Sequence, residues 1–76
     1  MKEGNIYKNE QGRFQFERDN HCYWTCGDKM TIYEAETDTW LNGRVEHGRK
    51  DYYWTNDEID IPLRNGLRVR VAEDWR

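Results

Sequence analysis

The amino-acid sequence predicts an all-β fold, a small SH3-like barrel of five to six short antiparallel strands. Three observations lead there. Apolar residues recur at every second position rather than at helical spacing. The runs are short and rich in β-branched and aromatic residues, which suits half-buried pleated strands. Turn residues separate the runs at close intervals, and no linker or low-complexity stretch divides the chain. So few short strands in 76 residues cannot build a sandwich of two large sheets. Closing into a barrel removes the exposed edges, and an oligonucleotide-binding barrel would need longer strands and more chain.

Taken in order, a first strand falls at Ile6-Tyr7. The stretch Asn9-Glu10-Gln11-Gly12 reads as a tight turn in which Gly12 supplies a positive φ, leading into Phe14–Phe16. Gly27-Asp28 precedes a strand over Met30–Ile32, where the apolar residues alternate with Lys29, Thr31 and, less cleanly, Tyr33. Glu36-Thr37-Asp38 turns the chain into Thr39-Trp40 and a strand over Leu41–Val45. An Asn42-Gly43 hairpin is the alternative there, but its arms are too short to pair usefully. The stretch His47-Gly48-Arg49-Lys50-Asp51 reverses the chain again into Tyr52–Trp54, and the acidic segment 56–60 has room for one helical turn. Pro62 and Asn65-Gly66 close the last loop before Leu67–Val71, the clearest alternation in the chain. Residues 1–76 form one domain, with the core over about 4–71 and a C-terminal tail over 72–76.

A domain of this length buries only about 60% of the surface its unfolded chain exposes. Apolar and charged residues each make up 36% of the sequence, a balance close to that of disordered chains. Four Trp, five Tyr and two Phe reverse that expectation, because each ring buries far more area than an aliphatic residue. The net charge of −3 arises from mixed signs with no polybasic block, so a phosphate backbone is not the default partner. With no long apolar run or export signal in view, the chain is expected in the cytoplasm and not in a membrane.

The strings CGDKMTIYE, TWLNGRVEHG, DYYW and GLRVRV resemble a family of short bacterial proteins of unknown function. Its pattern is a Cys-Gly-Asp start, a Trp-x-x-x-Arg-x-Glu strand, an aromatic strand and a Gly-Leu-x-Val-Arg end, and the resemblance spans about residues 4–71. It implies an SH3-like barrel and a setting in mobile elements or phage-like genomes, with no activity attached. The sequence departs from the pattern at Trp54, a position more often aliphatic.

Residues that carry chemistry are sparse. Cys22 and Cys26 lie within metal-ligand spacing, and His21 and His47 are the imidazoles that would complete a set of four. However, no second paired motif exists, and adjacent His21 and Cys22 point to opposite faces of an extended chain. The expectation is therefore no metal, no cofactor and no disulfide in a reduced compartment. The chain has no serine and no glycine-rich phosphate loop, and it is too small to enclose a typical substrate pocket. It reads as a non-enzyme.

The surplus of rings is the stronger lead. If Leu41, Gly43 and Val45 face inward, Trp40, Asn42, Arg44 and Glu46 face out. A five-residue loop over 47–51 then pairs Glu46 with Tyr52 and Arg44 with Trp54. That register displays Trp40, Arg44, Tyr52 and Trp54 on one face, extended by Arg68 and Arg70, with Tyr53 inside. Trp, Tyr and Arg are the residues that dominate interfaces. A register one residue over instead makes Tyr52 and Trp54 core and leaves Tyr53 outside. The functional reading is a binding module whose partner is a protein, an adaptor or inhibitor encoded by a mobile element or phage. The alternative is a nucleic-acid-binding barrel in which Trp40, Tyr52 or Trp54 stacks on bases and the arginines meet phosphates, disfavoured by the net negative charge.

Overall fold

In the computed structural model, which describes residues 1–18 and 22–75, period-two patterning yields strands throughout, and no described residue is helical. Seven strands are found among the described residues: β1 (Lys2–Lys8), β2 (Phe14–Phe16), β3 (Lys29–Glu34), β4 (Thr39–His47), β5 (Tyr52–Thr55), β6 (Asp60–Pro62) and β7 (Arg68–Val71). They form one sheet in the order β2-β1-β7-β3-β4-β5-β6, and every pairing is antiparallel.

Two long strands hold the sheet together. One end of β1 pairs with β7 (Lys2↔Val71 to Asn5↔Arg68) and the other with β2 (Ile6↔Phe16 to Lys8↔Phe14). In the same way β4 pairs with β3 over Thr39–Arg44 and with β5 over Arg44–His47. Side chains from strands far apart in this order, Phe14 and Phe16 of β2 and Trp54 of β5, share a single core, so the sheet must curl around it. Lys8 Nζ bonds Asp51 at 2.7 Å and Arg13 donates to the Tyr52 hydroxyl at 3.1 Å, tying the β1–β2 hairpin to the β4–β5 turn. The connection before β3 bridges the same gap. Trp24 donates its N–H to the Phe14 carbonyl, while Gly27 and Asp28 exchange backbone bonds with Val45.

The turns follow the predicted chemistry in most places. Asn9 Oδ1 accepts from the N–H groups of Gln11 and Arg13, and Gly12 sits at a φ of 81°. The segment 56–60 differs from expectation. Asn56 Oδ1 accepts from the N–H groups of Glu58 and Ile59, Asp57 takes a positive φ, and the chain enters the extra strand β6 instead of a helical turn. Pro62 is tolerated in β6 because that strand is an edge, where a missing N–H breaks no inner ladder.

The β4–β5 connection decides the core. His47 remains in its strand opposite Tyr52, so the loop holds four residues, closed by a Gly48 N–H to Asp51 carbonyl bond. Val45 therefore faces Trp54, and Glu46 faces Tyr53. The register with Trp54 outward is thereby corrected: Trp54 is 0% exposed. Its indole fills the space above Gly43, where a Cβ would come within 2.4 Å of the ring, and its Nε1 donates to the Met30 carbonyl at 2.7 Å. A second aromatic group closes the other end of the core. Trp24, also fully buried, stacks on Trp75 at 4.3 Å with Phe16 edge-on at 5.0 Å. The segment read as a tail thus returns Trp75 to the core.

Gly43 and Trp54 should behave as one unit. Gly43→Ala is expected to cost about 1–3 kcal/mol, the usual range for overpacking, and clearly less in a Trp54→Leu background. Urea unfolding of the two single variants and the double variant measures the coupling. Losses that add to within about 0.5 kcal/mol would contradict the contact.

Candidate functional site

Strand pairing sorts side chains between the core and the outer face of the sheet. Met30, Ile32, Val45, Trp54, Val69 and Val71 point inward. Their neighbours Lys29, Thr31 and Tyr33 of β3, Trp40, Asn42 and Arg44 of β4, and Arg68 and Arg70 of β7 point out, because opposed residues in antiparallel strands share a face.

On this face the structure assembles a cation–aromatic cluster. The Arg70 guanidinium lies 3.8 Å from the centre of the Trp40 ring, and the two side chains meet above the intervening β3. Arg68 lies over both Tyr33 (4.9 Å) and Trp40 (5.4 Å), and those two rings stand 5.2 Å apart, tilted by 55°. Beneath the arginines, Glu3 accepts from Arg68 Nε (2.9 Å) and Nη2 (2.5 Å) through one oxygen and from Arg70 Nε (3.1 Å) through the other. These bonds, Arg68's foremost, hold the Glu3 carboxyl below its ordinary pKa. The Tyr33 hydroxyl donates to Asp38 at 2.5 Å, which raises its pKa.

Of the residues singled out in the sequence, Trp40, Arg68 and Arg70 come together, while Arg44, Tyr52 and Trp54 do not join them. Arg44 shares the face but stands four residues, about 13 Å, along β4 from Trp40. Its guanidinium is occupied, with Asp57 accepting from both terminal nitrogens (2.9 and 2.7 Å) and Glu46 accepting from Nε (2.7 Å). Tyr52 points to the opposite side of the sheet. It is half-buried beside the core, with its ring 4.6 Å from His47 and its hydroxyl bonded to Arg13. Trp54 is core, which removes it as a binding residue.

Two members of the cluster were missed. Tyr33 had a signal, since it continues the outward alternation of Lys29 and Thr31. Glu3 had none, because β1 begins four residues before the first apolar pair that marked it.

A groove of about 430 Å³ adjoins the cluster, sharing Glu3 and Arg68 and lined further by Asn5, Phe16 and Arg18. Cys22 is half-buried, Cys26 is exposed, and neither forms a disulfide. His21 lies outside the described residues; among those described, no three His, Cys, Asp or Glu side chains converge as metal ligands. No helix among the described residues is long and apolar enough to cross a membrane.

Residues 4–71 match the family described as Domain of unknown function (DUF5348), and since that span is most of the chain, the protein belongs to this family. The match takes in Tyr33, Trp40, Arg68 and Arg70, while Glu3 and Trp75 fall just outside it. No curated protein and no solved structure gives a significant match.

The surface ion pairs set a direction for stability against pH. The carboxyls of Glu3, Asp51, Asp57 and Glu73 are all depressed, by Arg68, Lys8, Arg44 and the N-terminal amine in turn. A depressed carboxyl stabilises the fold above its unfolded pKa, near 4, and loses that contribution as pH falls through the folded value. Urea midpoints are therefore expected to be flat near neutrality and to drop below about pH 4.5, with a smaller drop in Glu3→Gln. An identical acid loss in Glu3→Gln would show that the arginine pair does not hold this carboxylate.

Proposed function

We propose that this domain of unknown function is a non-enzymatic binding module that recognises a protein through the outer-face cluster around Trp40. One observation carries the reading. Trp40 stays on the outside of a domain whose other three Trp are all packed with the core, and it is fixed there by Arg68, Arg70 and Tyr33. Trp40 is half-buried under these neighbours and not enclosed in the core, so part of its ring is left for a partner to cover, and rigid Trp, Tyr and Arg are the common anchors of interfaces. A curled seven-stranded antiparallel sheet around one core is compatible with an SH3-like barrel, and an adaptor or inhibitor encoded by a mobile element or phage suits so small a domain. Cytoplasmic residence belongs to the same reading.

The charges around the cluster argue against nucleic acid. The outward strand positions Lys29, Arg44, Arg68 and Arg70 are matched by Glu3, Glu46 and Asp60, with Asp38 and Asp57 added from the turns. Such a balanced face offers no run of positive potential to a phosphate chain. Trp54, fully buried, is also turned away from any base that would stack on this face.

A photo-crosslinking residue at Asn42, exposed beside Trp40 on the same face, should capture a discrete protein in cells of the source organism. Trp40→Ala should abolish the capture and shift the melting temperature by only a few degrees. Retention of the same crosslink in Trp40→Ala would contradict the site, and capture of nucleic acid instead would favour the other class.

A further inference from the structure

We propose that the cluster is a carboxylate clamp: the partner presents an acidic side chain to Arg70 and Arg68, and Glu3 occupies that position in its absence. The inference rests on the outer-face reading above and names the chemistry of the partner.

The arrangement of donors points to it. A guanidinium stacked on an aromatic ring is held in plane, ready to offer paired N–H groups to a carboxylate. Arg70 lies over Trp40, its guanidinium carbon 3.8 Å from the ring centre, and it bonds Glu3 only through Nε. Its two terminal nitrogens have no hydrogen-bond partner among the described residues. Arg68 bonds Glu3 through Nε and Nη2, leaving Nη1 without a partner among the same residues. Both guanidiniums thus hydrogen-bond one carboxylate, with Asp38 as a second carboxylate near Arg68, and they retain donors for a further one. The side chains of Arg68 and Arg70 remain 49% and 32% exposed, so the donors are accessible.

The adjoining groove is lined by both signs, with Arg18 and Glu17 beside the paired Glu3 and Arg68. Phe16 supplies an apolar contact on the wall. The occupant that fits is an extended protein segment with a Glu or Asp at the clamp and an uncharged residue in the groove. In this arrangement Glu3 has two effects. It orders the two arginines, and its negative charge competes with the incoming carboxylate.

That competition yields a test with opposite signs. The probes are a twelve-residue peptide of alternating Glu and Ala, its Gln–Ala counterpart and a twelve-nucleotide oligothymidylate. Each is titrated at low salt against the full chain, following the arginine Nε–H and indole Nε1–H signals by NMR. The Glu peptide should shift Arg68, Arg70 and Trp40, and the other two probes should not. Arg70→Gln should weaken the Glu peptide about tenfold or more, as loss of a charged hydrogen bond does. Glu3→Gln should strengthen it up to about fivefold, the range for one exposed charge pair, whereas Asp60→Asn at the far edge should change it less. Should Arg70→Gln fail to fold, Arg68→Gln and Arg70→Lys provide the same comparison.

Equal binding of the Gln peptide, tighter binding of the oligonucleotide, or weakened binding in Glu3→Gln would each overturn the clamp. Failure of the clamp alone leaves the Asn42 crosslink dependent on Trp40. If the probes miss this face and the crosslink survives Trp40→Ala, the binding-face reading falls with it.

Discussion

Trp54 and Gly43 share one volume, and the rest of the domain is arranged around that fact. The indole of Trp54 occupies the place where a side chain at position 43 would stand, and its N–H is satisfied by the Met30 carbonyl on the next strand. A ring of this size with a polar edge can be buried without penalty only where such an acceptor is presented. The contact therefore locks three neighbouring strands, β3, β4 and β5, in a single register. Because side chains alternate strictly, that register also determines which residues of β4 can face out. Trp40 is turned to the outer face by the same geometry that draws Trp54 inside.

A small domain rich in charge has few aliphatic residues for its core, and the rings are distributed accordingly. Trp54 fills the middle, while Trp24, Trp75 and Phe16 pack as a group at one end. The Trp75 indole N–H is buried without a partner among the described residues, so that end is less fully satisfied than the Trp54 site. On the outer face, where no core exists, the guanidiniums of Arg70 and Arg68 lie over Trp40 at 3.8 and 5.4 Å from its ring centre. Glu3 neutralises one of the two charges. The site is thus assembled from β1 and β7 together with the β3–β4 hairpin, and it forms only when those four strands are paired.

Alternation of apolar and polar residues was enough to place β2, β3, β4 and β7. Of these, β3, β4 and β7 each have one more buried and one more solvated side, whereas in β2 Gln15 is buried along with the two Phe. The extra strand β6 was hidden since Asp60-Ile61-Pro62 has a single apolar residue and a proline, acceptable only on an edge. The β4–β5 register was decided by one residue of loop length, a difference that composition does not reveal. Its signal was Gly43, an inward strand position with no side chain, which calls for a large ring from a neighbouring strand. Trp40, Arg68 and Arg70 were legible as outward-facing because they alternate with clear core residues. Glu3 escaped because its role depends on pairing with a strand 65 residues away, a relation that local pattern cannot express.

The most direct test is solvent access to the indole N–H groups, read by NMR hydrogen exchange together with broadening by a soluble paramagnetic agent. The Trp54 Nε1–H, bonded inside the core, should exchange slowest and resist broadening, whereas the Trp40 signal should broaden readily. A Trp54 N–H as accessible as that of Trp40 would contradict the register, the inward ring and the outer face built upon them.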